Sequence, residues 1–467
     1  MPDPATCPIT SKEALVARRR ALSKRLGGPA LLAAGRAPAR NYPANPYDFR
    51  ASSHFLYFTA QPMEGAAVLF HDGECTLLAQ PPDPEDALWH GPRPSFEALA
   101  DALGVDDVKS VGDAAEVVGA LESVATLPPQ DAQTAQWLSG LLGRTITPGG
   151  GARLDGPDAA LADAMIALRL VHDEAAVAQM RFSAAVSVEA HLAGMRATRP
   201  GAGEQVAYAA MVDVFRRHGC ADAYPPIVTV HGEVLHQHAH DGTTADGELL
   251  LADVGAESAE GWAADITRTW PVGGSYSGSQ RAIYDVVLEA QRRAIALATP
   301  GRPYRDVHET AKRTLVEGLV ALGILRGEVD GLLERGAAAL FFPHGVGHII
   351  GLDVHDMEDL GDRAGYAPGR ERAAAFGDAF LRLDRDLSPG MAVTIEPGFY
   401  QVPGILADDA LTAAVGDDLR RDKLAEFADV RGIRIEDDVL ITEAGNEVLT
   451  GALPKAASEV EAVVHSG

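Results

Sequence analysis

Three histidines and three glycines crowd the stretch HGVGHIIGLDVHD, residues 344–356. His344 and His348 stand four apart, the spacing that would set two metal ligands on one face of a helix. The intervening residues argue against a helix. Gly345 and Gly347 each cost about 1 kcal/mol relative to alanine in a helix interior, and β-branched Val346, Ile349 and Ile350 add to the misfit. An extended segment bent at glycine is expected instead, with glycine letting the backbone approach a ligand closely.

Four carboxylates have settings that could do chemistry with these histidines. ELLLADVGAESAEGWAADITRTW, residues 248–270, reads as two strands joined by a tight turn at SAEG, a three-residue hairpin with Gly261 left-handed. Centred on Ala259, the hairpin sets Asp253 directly across from Asp265. Facing carboxylates at a buried hairpin end repel unless a cation or a shared proton offsets them; two solvated strand ends are the alternative. Glu396 closes an apolar strand in AVTIEPGFY (392–400), just before Pro-Gly, and Glu436 sits inside GIRIEDDVLIT (432–442). By the two-residue period, Arg434, Glu436 and Asp438 share one face there, while Ile433, Ile435 and Asp437 share the other. A central strand with Arg434 and Glu436 on one face needs polar partners.

The elements that must position these residues follow from pattern. Residues 12–26 read as a basic amphipathic helix, and GPALLAAG as a short buried strand. FLYFTA (55–60), AAVLFHDG (66–73) and CTLLAQ (75–80) read as further strands of an α/β domain over residues 1–157. No phosphate-cradling glycine loop occurs in it. TPGGGARLDGP (147–157) has linker composition. A helical pattern over 158–197 breaks near His172-Asp173, where an acid can cap a new start. The turn RPGAGEQ leads into a helix AYAAMVDVFRRHG, and after Pro225 short strands dominate apart from helices near 279–298 and 304–322. Helices outside and strands with polar inserts inside give an α+β catalytic domain over residues 158–467.

Composition narrows the function classes. The 467 residues exceed one ordinary core, and 46% hydrophobic with 23% charged residues is a globular balance. Forty Lys+Arg against 66 Asp+Glu give a formal net charge of −26, a field that repels phosphate backbones and anionic lipid. No nucleic-acid or membrane partner is therefore expected. Cys7, Cys75 and Cys220 are isolated and odd in number, which suits a reducing, cytoplasmic setting. The N-terminal residues have no apolar leader, and no apolar run is long enough to span a bilayer.

The order Asp253, Asp265, His348, Glu396, Glu436 resembles the five-ligand set of the pita-bread metallopeptidases. DITRT, HGVGHIIGLDVHD, IEPGFY and GIRIEDD resemble the aminopeptidase P and prolidase branch, the Xaa-Pro peptidases, and FRASSHFLYFTA (49–60) is similar to that branch's N-terminal domain. The resemblance implies a pita-bread catalytic domain preceded by a smaller α/β domain, two divalent metal ions and a homodimer acting on proline-containing peptides. It implies that Asp253 chelates one ion, that His348 and Glu396 bind the other, and that Asp265 and Glu436 bridge them. Four carboxylates with one imidazole suit Mn²⁺, with Co²⁺ or Zn²⁺ as alternatives.

The resemblance further implies catalytic roles. Glu396 would shuttle a proton to the leaving nitrogen, His236 would stabilise the tetrahedral intermediate, His355 would contact the substrate carbonyl and His344 would line the proline pocket. Arg434 and Tyr224 would hold Asp253. One departure is the twelve-residue spacing of Asp253 and Asp265, one more than the branch's pattern, so the turn must absorb a residue without flipping the second aspartate. His238 and His240 form an unusual run with His236, read as exposed loop histidines with extra site residues as the alternative. Segments 358–390 and 401–431 are long, as in prolidases, and could wall off the site. The expected activity is that of an Xaa-Pro aminopeptidase, with Xaa-Pro dipeptidase (prolidase) as the alternative. Metal-free creatinase-like hydrolysis and a non-catalytic pita-bread binding protein are set against it by the complete ligand set.

Overall fold

In the computed structural model, which describes residues 6–149 and 154–467, turn chemistry sets the first sheet. Strands Ala30–Ala33 (β1), Ala67–His71 (β2), Glu74–Ala79 (β3) and Asp107–Ser110 (β4) lie in that order, antiparallel except for the parallel β3–β4 pair. Asp72 and Gly73, at φ +49° and +85°, make the two-residue loop that joins β2 to β3. Leu31, Leu69, Leu78, Val118 and Leu138 pack as this unit's core. The unit comprises Ile9–Ala176 and Met357–Ala364. It runs beyond the boundary expected at 157 and includes the helix Gly156–Arg169. Of the expected linker 147–157, residues 150–153 lie outside the described residues, as do the first five residues of the chain.

One expected strand is a helix. FLYFTA lies mostly within the helix Ser53–Thr59, closed by Ala60 at φ +52°, whose N–H donates to Leu56 O. All seven helical residues are buried, so no polar face reveals the 3.6-residue period, and a short apolar run then reads equally well as a strand.

The second unit comprises Val177–Asp356 and Gly365–Gly467 with the described residues up to Pro8. Its strands are Ala221–Asp222 (β5), Ile227–Thr229 (β6), Leu249–Asp253 (β7), Ala256–Glu257 (β8), Thr267–Pro271 (β9), Ala392–Ile395 (β10), Gly398–Tyr400 (β11), Gly432–Arg434 (β12), Asp437–Thr442 (β13) and Gly445–Val448 (β14). They pair as β6-β7-β9, β10-β13-β14, β11-β12 and β5-β8. Helices Glu174–Ala197, Glu204–Arg217 and Ala457–His465 pack on β7 and β9 through Val186, Met195, Met211, Phe215, Trp270 and Val460. The expected helix break is present: Asp173 Oδ1 accepts the N–H of Ala176 at 2.8 Å. Helix Gly278–Leu297 opens on a capping box of Ser277 and Gln280 and packs against Tyr304–Ala321. Among the described residues no helix is long and apolar enough to cross a membrane.

The hairpin register differs from the expected one. Asp253 pairs with Thr267, not with Asp265. Ser258 donates its N–H to Trp262 O at 2.9 Å and accepts the Trp262 N–H on Oγ. The loop proper is therefore Ala259–Gly261, with Gly261 at φ +93°, and the centre moves one residue to Glu260. Asp265 then falls opposite Gly255, two positions from Asp253's partner. An even spacing of twelve about this centre keeps both aspartates on one face.

Candidate metal centre

His348 sits on the extended segment expected from its glycines. Glu396 N–H donates to Val346 O at 2.8 Å and Thr394 N–H to His348 O at 3.0 Å, so residues 346–350 run antiparallel beside β10. Gly347 has φ +153°, and a Cβ there would lie 2.3 Å from Thr394 O and 2.4 Å from the Tyr304 hydroxyl oxygen. Only glycine admits this approach.

Glu396 and Glu436 face one another for a related reason. The β10–β13 and β11–β12 pairs share one register, in which position 396 opposes 436. Pro397 has no N–H to contribute, so the ladder opens between the two pairs. Glu436 turns its N–H instead to Thr267 O at 3.0 Å, which ties this edge to β9. Arg434, Glu436 and Asp438 point toward the aspartates, while Asp437 points the other way to Arg268 and Lys455.

The side chains converge on one cleft of about 730 Å³. His348 donates Nδ1–H to Ile349 O at 3.0 Å, which leaves the Nε2 lone pair 3.4 Å from Asp265 Oδ2 and 3.6 Å from Glu396 Oε1. Ligand atoms of Asp265, His348 and Glu436 lie within 4.8 Å of one another. The Tyr224 hydroxyl reaches both Asp253 Oδ1, at 2.7 Å, and Asp265 Oδ1, at 2.5 Å. Arg434 donates to Asp253 Oδ2 at 2.5 Å, to Thr267 Oγ1 at 3.0 Å and to the Tyr400 hydroxyl at 2.8 Å. Thr267 Oγ1 donates to Glu436 Oε2 at 2.6 Å, whereas Glu436 Oε1 is buried with no hydrogen-bond partner.

The electrostatics are unbalanced. Asp253, Asp265, Glu396 and Glu436 crowd around Arg434, and a second guanidinium, Arg382, also lines the cleft. Burial raises all four carboxyls against the lowering effect of Arg434, and at Glu436 the neighbouring carboxylates raise it further; Glu396 is pushed up to about 8 and Glu436 well above the usual range. Such a cluster requires protons or cations. An imidazole lone pair aimed at two carboxylates, together with the partnerless Glu436 oxygen, fits divalent ions better than protons, and the donor set is of the hard, oxygen-rich kind.

The remaining histidines separate into distinct settings. His344 accepts from the Tyr400 hydroxyl at Nε2, 2.9 Å away, and donates from Nδ1 to Gly345 O at 2.8 Å. Burial and then Arg434 hold its pKa down to about 3, so the ring is neutral. His355 packs edge-on to His348 with centroids 4.3 Å apart. His236 lines the cleft beside His238, the rings near-parallel with centroids 6.3 Å apart, and desolvation followed by Arg434 lowers the His236 pKa. His240 instead stacks on Tyr208, centroids 4.2 Å apart, and donates to Pro226 O.

Several groups not singled out in the sequence position the cluster, and Asp438, already on the face of Arg434 and Glu436, joins them. Thr267, two residues from Asp265 on the same face, and Tyr400, at the end of IEPGFY, could have been found by strand period. Asp438 accepts the Asp265 N–H at 3.0 Å. Helix Glu174–Ala197 adds a buried seam with i, i+4, i+8 spacing. Ser183 Oγ donates to Trp262 O at 2.8 Å, Ser187 Oγ accepts the Ala256 N–H at 2.9 Å, and His191 Nε2 donates to Val254 O at 3.0 Å. Nothing in an apolar helical stretch announces such a seam.

Residues 178–443 match metallopeptidase family M24, and residues 15–127 match the aminopeptidase P, N-terminal domain. The Xaa-Pro aminopeptidase of Escherichia coli is 32% identical, with 97% of this chain and 98% of that protein covered. The human Xaa-Pro dipeptidase is 31% identical over 89% of this chain and 84% of its own length. Among solved structures, Pseudomonas aeruginosa aminopeptidase PepP superposes with a TM-score of 0.81 at 31% identity, covering 99% of each chain.

Proposed function

The chain belongs to metallopeptidase family M24, in its aminopeptidase P branch with a pita-bread catalytic domain, and from that premise we propose that it is an Xaa-Pro aminopeptidase, removing an N-terminal residue that precedes proline. The observation that carries the reading is the set of four carboxylates and one imidazole converging on the cleft, with the Glu436 Oε1 atom buried and partnerless.

Asp253, Asp265, His348, Glu396 and Glu436 would hold two divalent ions, Mn²⁺ by the hardness of the donor set. Ions so held lower the pKa of a bound water and polarise a peptide carbonyl. Arg434 and Tyr224 fix Asp253 and Asp265 through the hydrogen bonds described above. Glu396 moves a proton from the attacking water to the proline nitrogen at its carboxylate. His236 and His355 supply N–H donors where negative charge develops on the carbonyl oxygen. His344, held neutral and oriented by Tyr400, lines the pocket for the proline ring.

A second reading, Xaa-Pro dipeptidase, draws support from the human relative. Turnover of Xaa-Pro against Xaa-Pro-Xaa peptides in manganese separates the two: faster cleavage of the tripeptides supports the aminopeptidase, and cleavage confined to dipeptides supports the alternative. No hydrolysis of either peptide class by metal-loaded protein overturns both readings.

A further inference from the structure

We propose that Phe376 and Phe380 form an apolar subsite for the side chain of the substrate residue that follows proline. Both are large apolar side chains left exposed, at 37% and 54%, and both line the cleft that holds the carboxylate and histidine cluster. Their rings meet edge to face, centroids 6.2 Å apart at 89°. Exposed aromatic surface in a cleft is unfavourable in water and is recovered when an apolar group covers it.

The backbone carrying the pair is fixed from several sides. Arg372 donates to Ala379 O at 3.0 Å and to Leu381 O at 2.7 Å, and its guanidinium lies over the Tyr366 ring at 5.1 Å. Gly377, between the two rings, has φ +87° and lies where a Cβ would come within 2.7 Å of Ala339 Cβ. On the catalytic strand, a Cβ at Gly345 would sit 2.8 Å from Leu381 Cα and 2.9 Å from Phe380 O. The platform is thus held in place before any ligand arrives, which limits the ordering cost of binding.

Its distance from the chemistry assigns the residue it takes. Gly345 lies three residues from His348 along a bent segment, a separation of up to about 10 Å at ~3.3 Å per residue. An extended peptide advances by the same step, so the platform is two or three residues from the cleaved bond. This step rests on the N-terminal exopeptidase reading. Such an enzyme holds one residue on the amino side of that bond, so a subsite this far away takes a residue on the carboxyl side, the third of the peptide. The preferred substrates are Xaa-Pro peptides extended by an apolar residue, and residues 376–382 form the wall that recognises them.

The test compares kcat/KM for Ala-Pro, Ala-Pro-Gly, Ala-Pro-Leu and Ala-Pro-Asp in manganese. The full chain is measured beside Phe376→Ala, Phe380→Ala, the double alanine variant and the double leucine variant, with melting curves as a check of folding. The unmodified chain is expected to favour Ala-Pro-Leu over Ala-Pro-Gly by about tenfold. That ratio should fall to about one in the double alanine variant and be partly retained with leucine, while Ala-Pro-Gly changes by less than about twofold. A ratio near one in the unmodified chain, or one that survives both alanines, overturns the subsite. Parallel loss on Ala-Pro-Gly in a variant that melts normally overturns it as well. If the unmodified chain cleaves none of the peptides, the exopeptidase reading has failed. Calorimetric binding of Pro-Leu against Pro-Gly to metal-loaded protein then tests the platform alone. Equal affinities overturn it, and a preference lost with the two alanines supports it.

Discussion

Glu436 and Asp437 are neighbours in sequence and opposites in treatment. Asp437 is fully buried, yet both its oxygens are satisfied: Arg268 and Thr450 donate to Oδ1 at 2.8 Å, and Lys455 and Gln291 to Oδ2 at 2.6 Å. These partners overcome burial and hold its pKa far below the carboxylate range. Glu436, one residue earlier and facing the other way, lies among three further carboxylates near Arg434 and keeps one oxygen without a partner. The first pole is a closed ion pair that locks β13 to its surroundings, and the second is the cluster proposed to hold cations. The difference separates a buried carboxylate that serves the fold from one that, on the proposed reading, serves chemistry.

The largest effect comes from removing a ligand. Asp265→Ala should lower kcat/KM by about 10³-fold or more, while the metal-free protein melts no earlier than the parent, because a repelling charge has gone. Peptide kinetics paired with melting in a chelator checks both halves.

At the opposite pole the outcome inverts. Asp437→Ala leaves Arg268 buried without its carboxylate and should cost about 3–5 kcal/mol of stability. Denaturant unfolding measures the loss, and a change below about 1 kcal/mol would erase the distinction between the two poles.

Adding metal sharpens the contrast further. Saturating Mn²⁺ at about 100 times its dissociation constant should stabilise the parent by about 2.7 kcal/mol and release protons from the cluster; Asp265→Ala should lose this response. Glu396 carries a pKa raised in the folded state to about 8. Above the ordinary histidine range, where the buried neutral His344 no longer opposes it, Glu396 leaves the metal-free folded chain with more bound protons than the unfolded one, and stability should fall as pH rises from about 7 to 8. Melting temperatures from pH 7 to 8, with and without Mn²⁺, read this out, and a metal-free curve that rises with pH over that range contradicts it.

The smallest effect lies behind the aspartates. His191→Ala should weaken Mn²⁺ binding by about tenfold through loss of its bond to Val254 O, with little change in affinity for a competitive peptide once metal is saturating. Calorimetric titration of metal into apo protein is the readout, and unchanged affinity would limit the seam to a packing role.

Much of the cleft was legible because the relevant side chains sit where chain chemistry is explicit: acids at strand ends and in a hairpin, histidine between glycines, glutamate before Pro-Gly. Register was less legible. Whether Ser258 lies inside the loop or closes it shifts the facing residue of Asp253 from Asp265 to Thr267, and residue types alone do not decide that. FLYFTA misled because complete burial erases the polar face that marks a helix. His191 lies 62 positions before Asp253 in an apolar helix, so its bond to the hairpin is a tertiary fact with no local signature.

That seam bears on how metal is acquired. Serine, serine and histidine on successive turns of one helix grip Trp262, Ala256 and Val254 of the hairpin, so both aspartates are presented by backbone already ordered by protein contacts. A zinc finger spends much of its binding free energy on folding; here loading requires little reordering of the chain. The speed of loading is then set by ion dehydration and by loss of protons from the carboxylates, and a chelated chain should keep its hairpin and refill without refolding.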